Sequence, residues 1–171
     1  MKKLLTTIAL LSTLTLASEH PIELGIGYAP GDNSGDMLTA YASIEVLGGI
    51  ASRFEYSKNI NDGELFSTED LSRYAIFATY NLALTPNMSL TPKIGIVKND
   101  SEVKIGDVLS AVSSSSTELT YGLELNYSYN ESLSFYVGYT DYGNDFDFDK
   151  TYVDSDYLDS ANFTVGVKVG L

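Results

Sequence analysis

Leu119-Thr120-Tyr121-Gly122-Leu123-Glu124-Leu125-Asn126-Tyr127 is the stretch that decides the fold. Large apolar or aromatic side chains occupy the odd positions, and small or polar groups the even ones. A helix gathers residues three and four apart on one face, so it would scatter this pattern, whereas a strand gathers every second residue. The stretch therefore predicts a strand with one apolar and one polar face. The same alternation recurs at Ile22 to Ala29, Leu38 to Val46, Ile50 to Tyr56, Arg73 to Leu82, Leu90 to Ile96, Leu133 to Thr140 and Asn162 to Leu171. Eight two-faced runs of this length predict an all-β chain.

Connection lengths give the order of the strands. Pro30 to Asp36, Lys58 to Leu71, Asn99 to Ser116 and Gly143 to Ser160 are long. Leu47-Gly48-Gly49, Ala83 to Asn87 and Asn130-Glu131-Ser132 are short and carry turn residues. Long loops at one end and tight turns at the other are the layout of an eight-stranded antiparallel transmembrane β-barrel, an up-and-down meander with both termini on the short-turn side.

A soluble eight-stranded barrel is the competing architecture. It would bury the apolar face and show water the polar one. Here the polar face is mostly Gly, Ala, Ser and Thr rather than the Lys and Glu of a soluble exterior. Aromatics on the apolar face gather at strand ends. Tyr28, Tyr56, Tyr74, Tyr121, Tyr139 and Phe163 fall toward the long loops, and Tyr80, Tyr127 and Phe135 toward the short turns, with aliphatic residues between. Two aromatic girdles around an aliphatic band fit a bilayer and its two interfaces.

The other face then lines a lumen too narrow for a water-filled pore. Its charges are Glu23, Glu45, Glu55 and Glu124 against Arg53, Arg73, Lys93 and Lys168. Isolated buried charges are very costly, so this balance predicts a paired network closing the interior.

The N-terminus addresses the chain. Lys2 and Lys3 precede an apolar run from Leu4 to Leu16, followed by the small residues Ala17 and Ser18. The run is short of the roughly 20 residues that cross a bilayer, and its three-part layout predicts a secretory signal peptide over residues 1–18 with the barrel domain over 19–171. The chain has no cysteine, which excludes a disulfide framework. Losing two lysines takes the formal charge from −13 to −15, a poor match for nucleic acid, whose phosphates need Lys and Arg.

Architecture and these segments together resemble the small outer-membrane barrels: the OmpA transmembrane domain, the OmpX and Ail group and the opacity-type porin-like adhesins. The likeness runs from Pro21 to Leu171. It is strongest at Tyr80-Asn81-Leu82, Thr85-Pro86-Asn87 and Pro92-Lys93-Ile94-Gly95, and at the alternating end Phe163 to Leu171. That end resembles the signal read by the barrel-assembly machinery, although the family's last residue is usually aromatic and this one is Leu171. The resemblance implies a place in a Gram-negative-type outer membrane, in contact with lipid and lipopolysaccharide. It implies a role in adhesion, serum resistance or envelope stability, without choosing among them.

Chemistry points away from catalysis. His20, the one histidine, stands before the first strand, at the wrong end to serve a serine nucleophile near the outer face. No cofactor is implied. Asp145, Asp147 and Asp149 alternate with Phe146 and Phe148, which sets hard oxygen ligands on one side of an extended segment and makes them Ca²⁺ candidates. The spacing lacks the Gly and distal Glu of an EF-hand loop. The Ser113 to Ser116 run reads as a loop tip. The leading expectation is a non-enzymatic surface protein whose acidic loops meet an extracellular ligand or host surface; the alternative is a small porin-like channel.

Overall fold

The computed structural model describes residues 21–31, 35–61, 67–104, 112–143 and 161–171. In chain order the strands are β1 (Ile22–Ala29), β2 (Met37–Leu47), β3 (Ile50–Asn59), β4 (Ser67–Tyr80), β5 (Leu82–Thr85), β6 (Met88–Lys104), β7 (Val112–Ser128), β8 (Leu133–Asp141) and β9 (Ala161–Gly170). All pairings are antiparallel, and β1 pairs with both β2 and β9. β4 and β5 both pair with β6, so β5 carries the β4 stave past Asn81 and nine segments make eight staves. The expected eight-stranded meander closes completely. Closure matters because an open sheet edge in lipid would leave a row of N–H and C=O groups without partners.

The two faces are inverted relative to a soluble protein. Ile26, Phe54, Ile76, Ile94, Leu119 and Val165 are all more than half exposed, while Arg53, Glu55, Arg73 and Glu124 are no more than 2% exposed. Polar groups inside and aliphatic groups outside are what a narrow barrel in hydrocarbon requires.

Turn chemistry fixes the register at the short-turn end. Gly48 (φ 47°) and Gly49 (φ 84°) both have positive φ, the requirement of a two-residue hairpin whose twist matches its strands. The turn after β5 tightens to Pro86-Asn87, with Ala83 to Thr85 already in the strand. At the third, Asn130 Oδ1 accepts the N–H groups of Ser132 (3.0 Å) and Leu133 (2.7 Å).

At the other end the structure corrects the strand limits. β3 runs on to Asn59, β4 starts at Ser67, β6 reaches Lys104 and β7 starts at Val112, so much of the expected loop sequence is strand. Ser113 to Ser116 belong to β7, where they pair with Glu102, Ser101, Asp100 and Asn99 of β6 in that order, and are not a loop tip. The physical reason is that beyond the outer aromatic ring the outward face meets water instead of lipid, while the inward face stays buried with polar groups such as Asn99 and Ser101. The apolar alternation ends there, although the backbone ladder does not. The signal segment 1–18, His20, and the Asp145, Asp147 and Asp149 candidates lie outside the described residues.

One ladder is interrupted. β4 and β6 pair down to Thr79↔Lys93 and resume through β5 at Leu82↔Leu90. The register sets Pro92 opposite Tyr80 in the gap, and proline has no N–H to donate. Asn81 N–H donates instead to Gly49 O at 2.8 Å, on the opposite side of the stave.

Candidate functional site: the charged lumen and the outer rim

The lumen is filled by rings and ion pairs stacked along the barrel axis. Gly25, Gly27 and Gly166 make room for the rings. A Cβ on Gly25 would lie 2.3 Å from the Tyr41 ring, and one on Gly27 2.3 Å from Tyr136 Oη; on Gly166 it would lie 2.5 Å from the Tyr136 ring. Tyr41 and Tyr136 meet edge to face with centroids 6.0 Å apart. The small residues of the polar face are thus the sockets of its large ones.

Across this packing the strands deliver six of the eight luminal charges to one cluster. Arg53 on β3 contacts Glu124 on β7 through Nη1, with Glu23 at 3.6 Å and Glu55 at 4.0 Å. Lys93 on β6 bridges Glu55 (3.2 Å) and Glu124 (3.3 Å). Lys168 on β9 holds Glu23 at 2.8 Å. Three cations therefore face three carboxylates, each cation touching at least one. Pairing of this kind offsets a desolvation penalty of several kcal/mol per ion.

Each deeply buried cation also lies over an aromatic face. Arg53 Cζ is 3.9 Å from the Tyr41 centroid, Lys93 Nζ 4.6 Å from Phe77 and Arg73 Cζ 4.8 Å from Tyr142. Cation–π contacts strengthen on desolvation to about 2 kcal/mol. Arg73 stands apart from the cluster, nearer the rim, where Asn162, with its amide oxygen turned inward, accepts from Nη1 at 2.9 Å. Glu45 does not join either. It sits at the short-turn mouth beside the irregularity between Glu45 and Leu47, and accepts Gly49 N–H at 3.1 Å.

Sequence reasoning missed the aromatic half of the site. Tyr142 is 2% exposed and its hydroxyl donates to Glu55 Oε1; Tyr41 Oη donates to Glu23 Oε1 at 3.0 Å. Parity was the available signal, since Tyr142 follows Tyr136, Gly138 and Thr140 in steps of two.

Free space follows the same division. A vestibule of about 160 Å³ opens among Glu23, Glu45, Arg53, Thr79 and Lys168 at the short-turn end. Above it, where Glu55, Lys93, Glu124 and Tyr142 converge, the volume falls to nothing that admits water.

The outer ring faces away from the lumen. Tyr56 stacks with Tyr74 (5.0 Å) and Tyr139 with Phe163 (5.2 Å), while Tyr121 Oη donates to Asp141 Oδ2 at 3.0 Å. Tyr28 is exposed and hydrogen-bonds Asp36. Tyr80 and Tyr127, toward the short turns, are also exposed, and Tyr127 pairs across the ladder with Phe135. Above the ring, Asp36 and Asn61 tie the first two outer connections together. Asp36 N–H donates to Asn61 Oδ1, Asn61 Nδ2 donates to Asp36 Oδ2 (2.9 Å), and Ile60 N–H to Asp36 O (2.8 Å). Hydrogen bonds from Tyr28 and from Gly31 N–H hold the Asp36 carboxyl below the usual aspartate range. Among the described residues no group of His, Cys, Asp and Glu is arranged to hold a metal.

Known proteins place this geometry. The outer membrane protein β-barrel domain matches residues 7–170. The N-terminal β-barrel of Pseudomonas aeruginosa OprF superposes with a TM-score of 0.62 at 14% identity, over 87% of this chain and 94% of that one. Neisserial surface protein A gives 0.57 at 14% identity, over 88% and 94%. Ail, the attachment invasion locus protein of Yersinia pestis, solved with the heparin analogue sucrose octasulfate, gives 0.53 at 13%, over 88% and 96%. A comparison with curated proteins returns no match.

Proposed function

We propose, for a chain that belongs to the outer-membrane protein β-barrel domain family, that its work is done at the cell surface by the rim and connections above the outer aromatic ring, without catalysis. The observation that carries this reading is the lumen. The Arg53–Glu124–Lys93–Glu55 cluster, capped by Tyr142, occupies the cross-section where a pore would need water. A barrel that is solid in the middle has two surfaces left, one against lipid and one against the outside. Strands that continue past the outer ring stiffen the second and raise its polar connections clear of the bilayer.

On this reading residues 1–18 are a cleaved export signal, the barrel-assembly machinery inserts residues 19–171, and lipid and lipopolysaccharide surround the wall. The rim, rich in Asp and Tyr, meets an extracellular ligand or a host surface, as exposed aromatics among polar groups typically do. The likeness to Ail, an attachment protein by name, supports that direction.

Planar-bilayer recording of the purified chain is the test. Silence is expected. Stable conductance would overturn the closed-lumen reading in favour of a small porin-like channel. Adhesion of cells with and without the gene to host cells then reads the surface role, and equal adhesion together with an unchanged envelope phenotype would refute it.

A further inference from the structure

A second concave site lies on the outer wall. A groove of about 560 Å³ runs across the outward faces of β3, β4, β6 and β7, just beyond the outer aromatic ring. Tyr56 and Tyr74, directly opposite in register with centroids 5.0 Å apart, form its membrane-side wall. Ser72 and Ser115 contribute hydroxyls. Lys58 and Asp70 pair at 2.9 Å on the rim, with Lys58 47% and Asp70 52% exposed. Lys98, opposite Tyr74, holds Asp100 at 2.7 Å and is 55% exposed.

Three features narrow the occupant. Among the described residues the two ammoniums and two carboxylates cancel, leaving no excess of positive charge with which to capture a bare anion. It offers instead fixed donors, fixed acceptors and hydroxyls that serve as both, beside a pair of aromatic faces. That combination suits a sugar ring, with hydroxyls around its edge and an apolar C–H face. The groove also continues a lipid-facing surface: Phe54 and Ile76, on the same strands and one step toward the bilayer, are 53% and 61% exposed. A polar groove that begins where the aliphatic band ends lies at headgroup depth.

We propose that this groove seats the sugar headgroup of an outer-leaflet glycolipid, with its acyl chains lying along Phe54, Ile76 and Ile96. The proposal concerns the wall and stands apart from whatever the rim binds. The chain has no tryptophan, so Tyr74→Trp keeps an aromatic wall and adds a single local reporter. The full chain carrying it is folded into phospholipid vesicles with and without lipopolysaccharide, and separately given free lipopolysaccharide core oligosaccharide. A saturating emission shift with lipopolysaccharide, absent in phospholipid alone, is expected. Adding Tyr56→Ala should weaken it roughly 2- to 10-fold, the worth of one aromatic contact. Ser115→Phe, at an exposed position outside the lumen, should block it and serves if Tyr56→Ala does not fold, as judged by gel mobility before and after boiling.

An equal shift in phospholipid vesicles, or a midpoint unmoved by both variants, would overturn the site. Oligosaccharide binding as strong as the glycolipid's would overturn the lipid source. Ion conductance by the chain would refute the closed-lumen reading and leave this shift untouched.

Discussion

Replacing Glu124 by Gln removes one charge from a buried cluster of three cations and three carboxylates. The side chain is 2% exposed, and it touches Arg53 Nη1 and, at 3.3 Å, Lys93 Nζ. Breaking a buried pair by deleting one partner typically costs about 3–5 kcal/mol. Here the orphaned cations retain partners. Lys93 keeps Glu55 at 3.2 Å, and Arg53 keeps Glu23 at 3.6 Å and Glu55 at 4.0 Å. Longer contacts replace short ones, so the expected loss falls to about 2–3 kcal/mol. Urea unfolding of the chain in lipid vesicles, followed by tyrosine fluorescence and by gel mobility, measures it. The double variant with Arg53→Met should cost less than the sum of the two single changes, by at least about 1 kcal/mol, as expected for residues in direct contact. If Glu124→Gln shifts stability by under about 1 kcal/mol and the pair shows no coupling, the luminal charges are solvated individually and the plug is not an ion-paired structure.

The other expectations follow from the same geometry. Gly27→Ala sets a Cβ 2.3 Å from Tyr136 Oη and 2.5 Å from Thr164 Cγ2, and should cost about 1–3 kcal/mol by overpacking. Tyr136→Phe with Thr164→Ser should recover most of that loss in the same unfolding assay. Lys58→Ala breaks an exposed pair with Asp70 and should change stability by under about 1 kcal/mol; a larger loss would mean that this pair is shielded from water. Asp36 binds its proton less readily in the folded state than in the unfolded one, so its stabilising contribution is present above the ordinary aspartate pKa of about 4 and is lost as pH falls through the lowered folded value. Protection of the Gly31 N–H, measured relative to its intrinsic exchange rate, should therefore fall on acidification below that range, and should already be low at neutral pH in Asp36→Asn.

The fold was legible because a membrane imposes a period on sequence. Wherever one face met lipid, as at Leu119 to Tyr127, alternation marked the strand and assigned Glu124 to the lumen. Above the outer ring that constraint lapses. Asn99 to Lys104 and Val112 to Ser116 pair as regularly as the strands below them, but with polar groups on both faces they read as loop. Balanced charge foretold a paired interior without saying who pairs with whom. Arg53 meets Glu124 because strands β3 and β7 face each other across a closed barrel, a relation set by closure rather than by any local pattern. Glu45 shares the parity of Glu23 and Glu55, yet it is left at the mouth because its position falls beside a turn. Tyr142 was hidden for the opposite reason, lying one residue past the end of β8.

Charge sorts itself by location in a way that links the plug to the rim. Within the barrel the cluster is neutral, and the groove on the outer wall is neutral as well. The formal excess of −13 over the whole chain, which becomes −15 without Lys2 and Lys3 of the proposed export signal, must therefore reside mainly in the rim, the turns and the connections. Such a charge acts through water, where its reach is limited to about 8–10 Å at physiological salt. A partner that depends on it should be cationic or bridged by divalent ions, and its association rate should fall steeply as salt is raised. A glycolipid seated by stacking and hydroxyl contacts on the neutral wall should hold its affinity across the same titration. Salt dependence thus separates the two surfaces in one protein, and equal sensitivity at both would refute the division drawn between them.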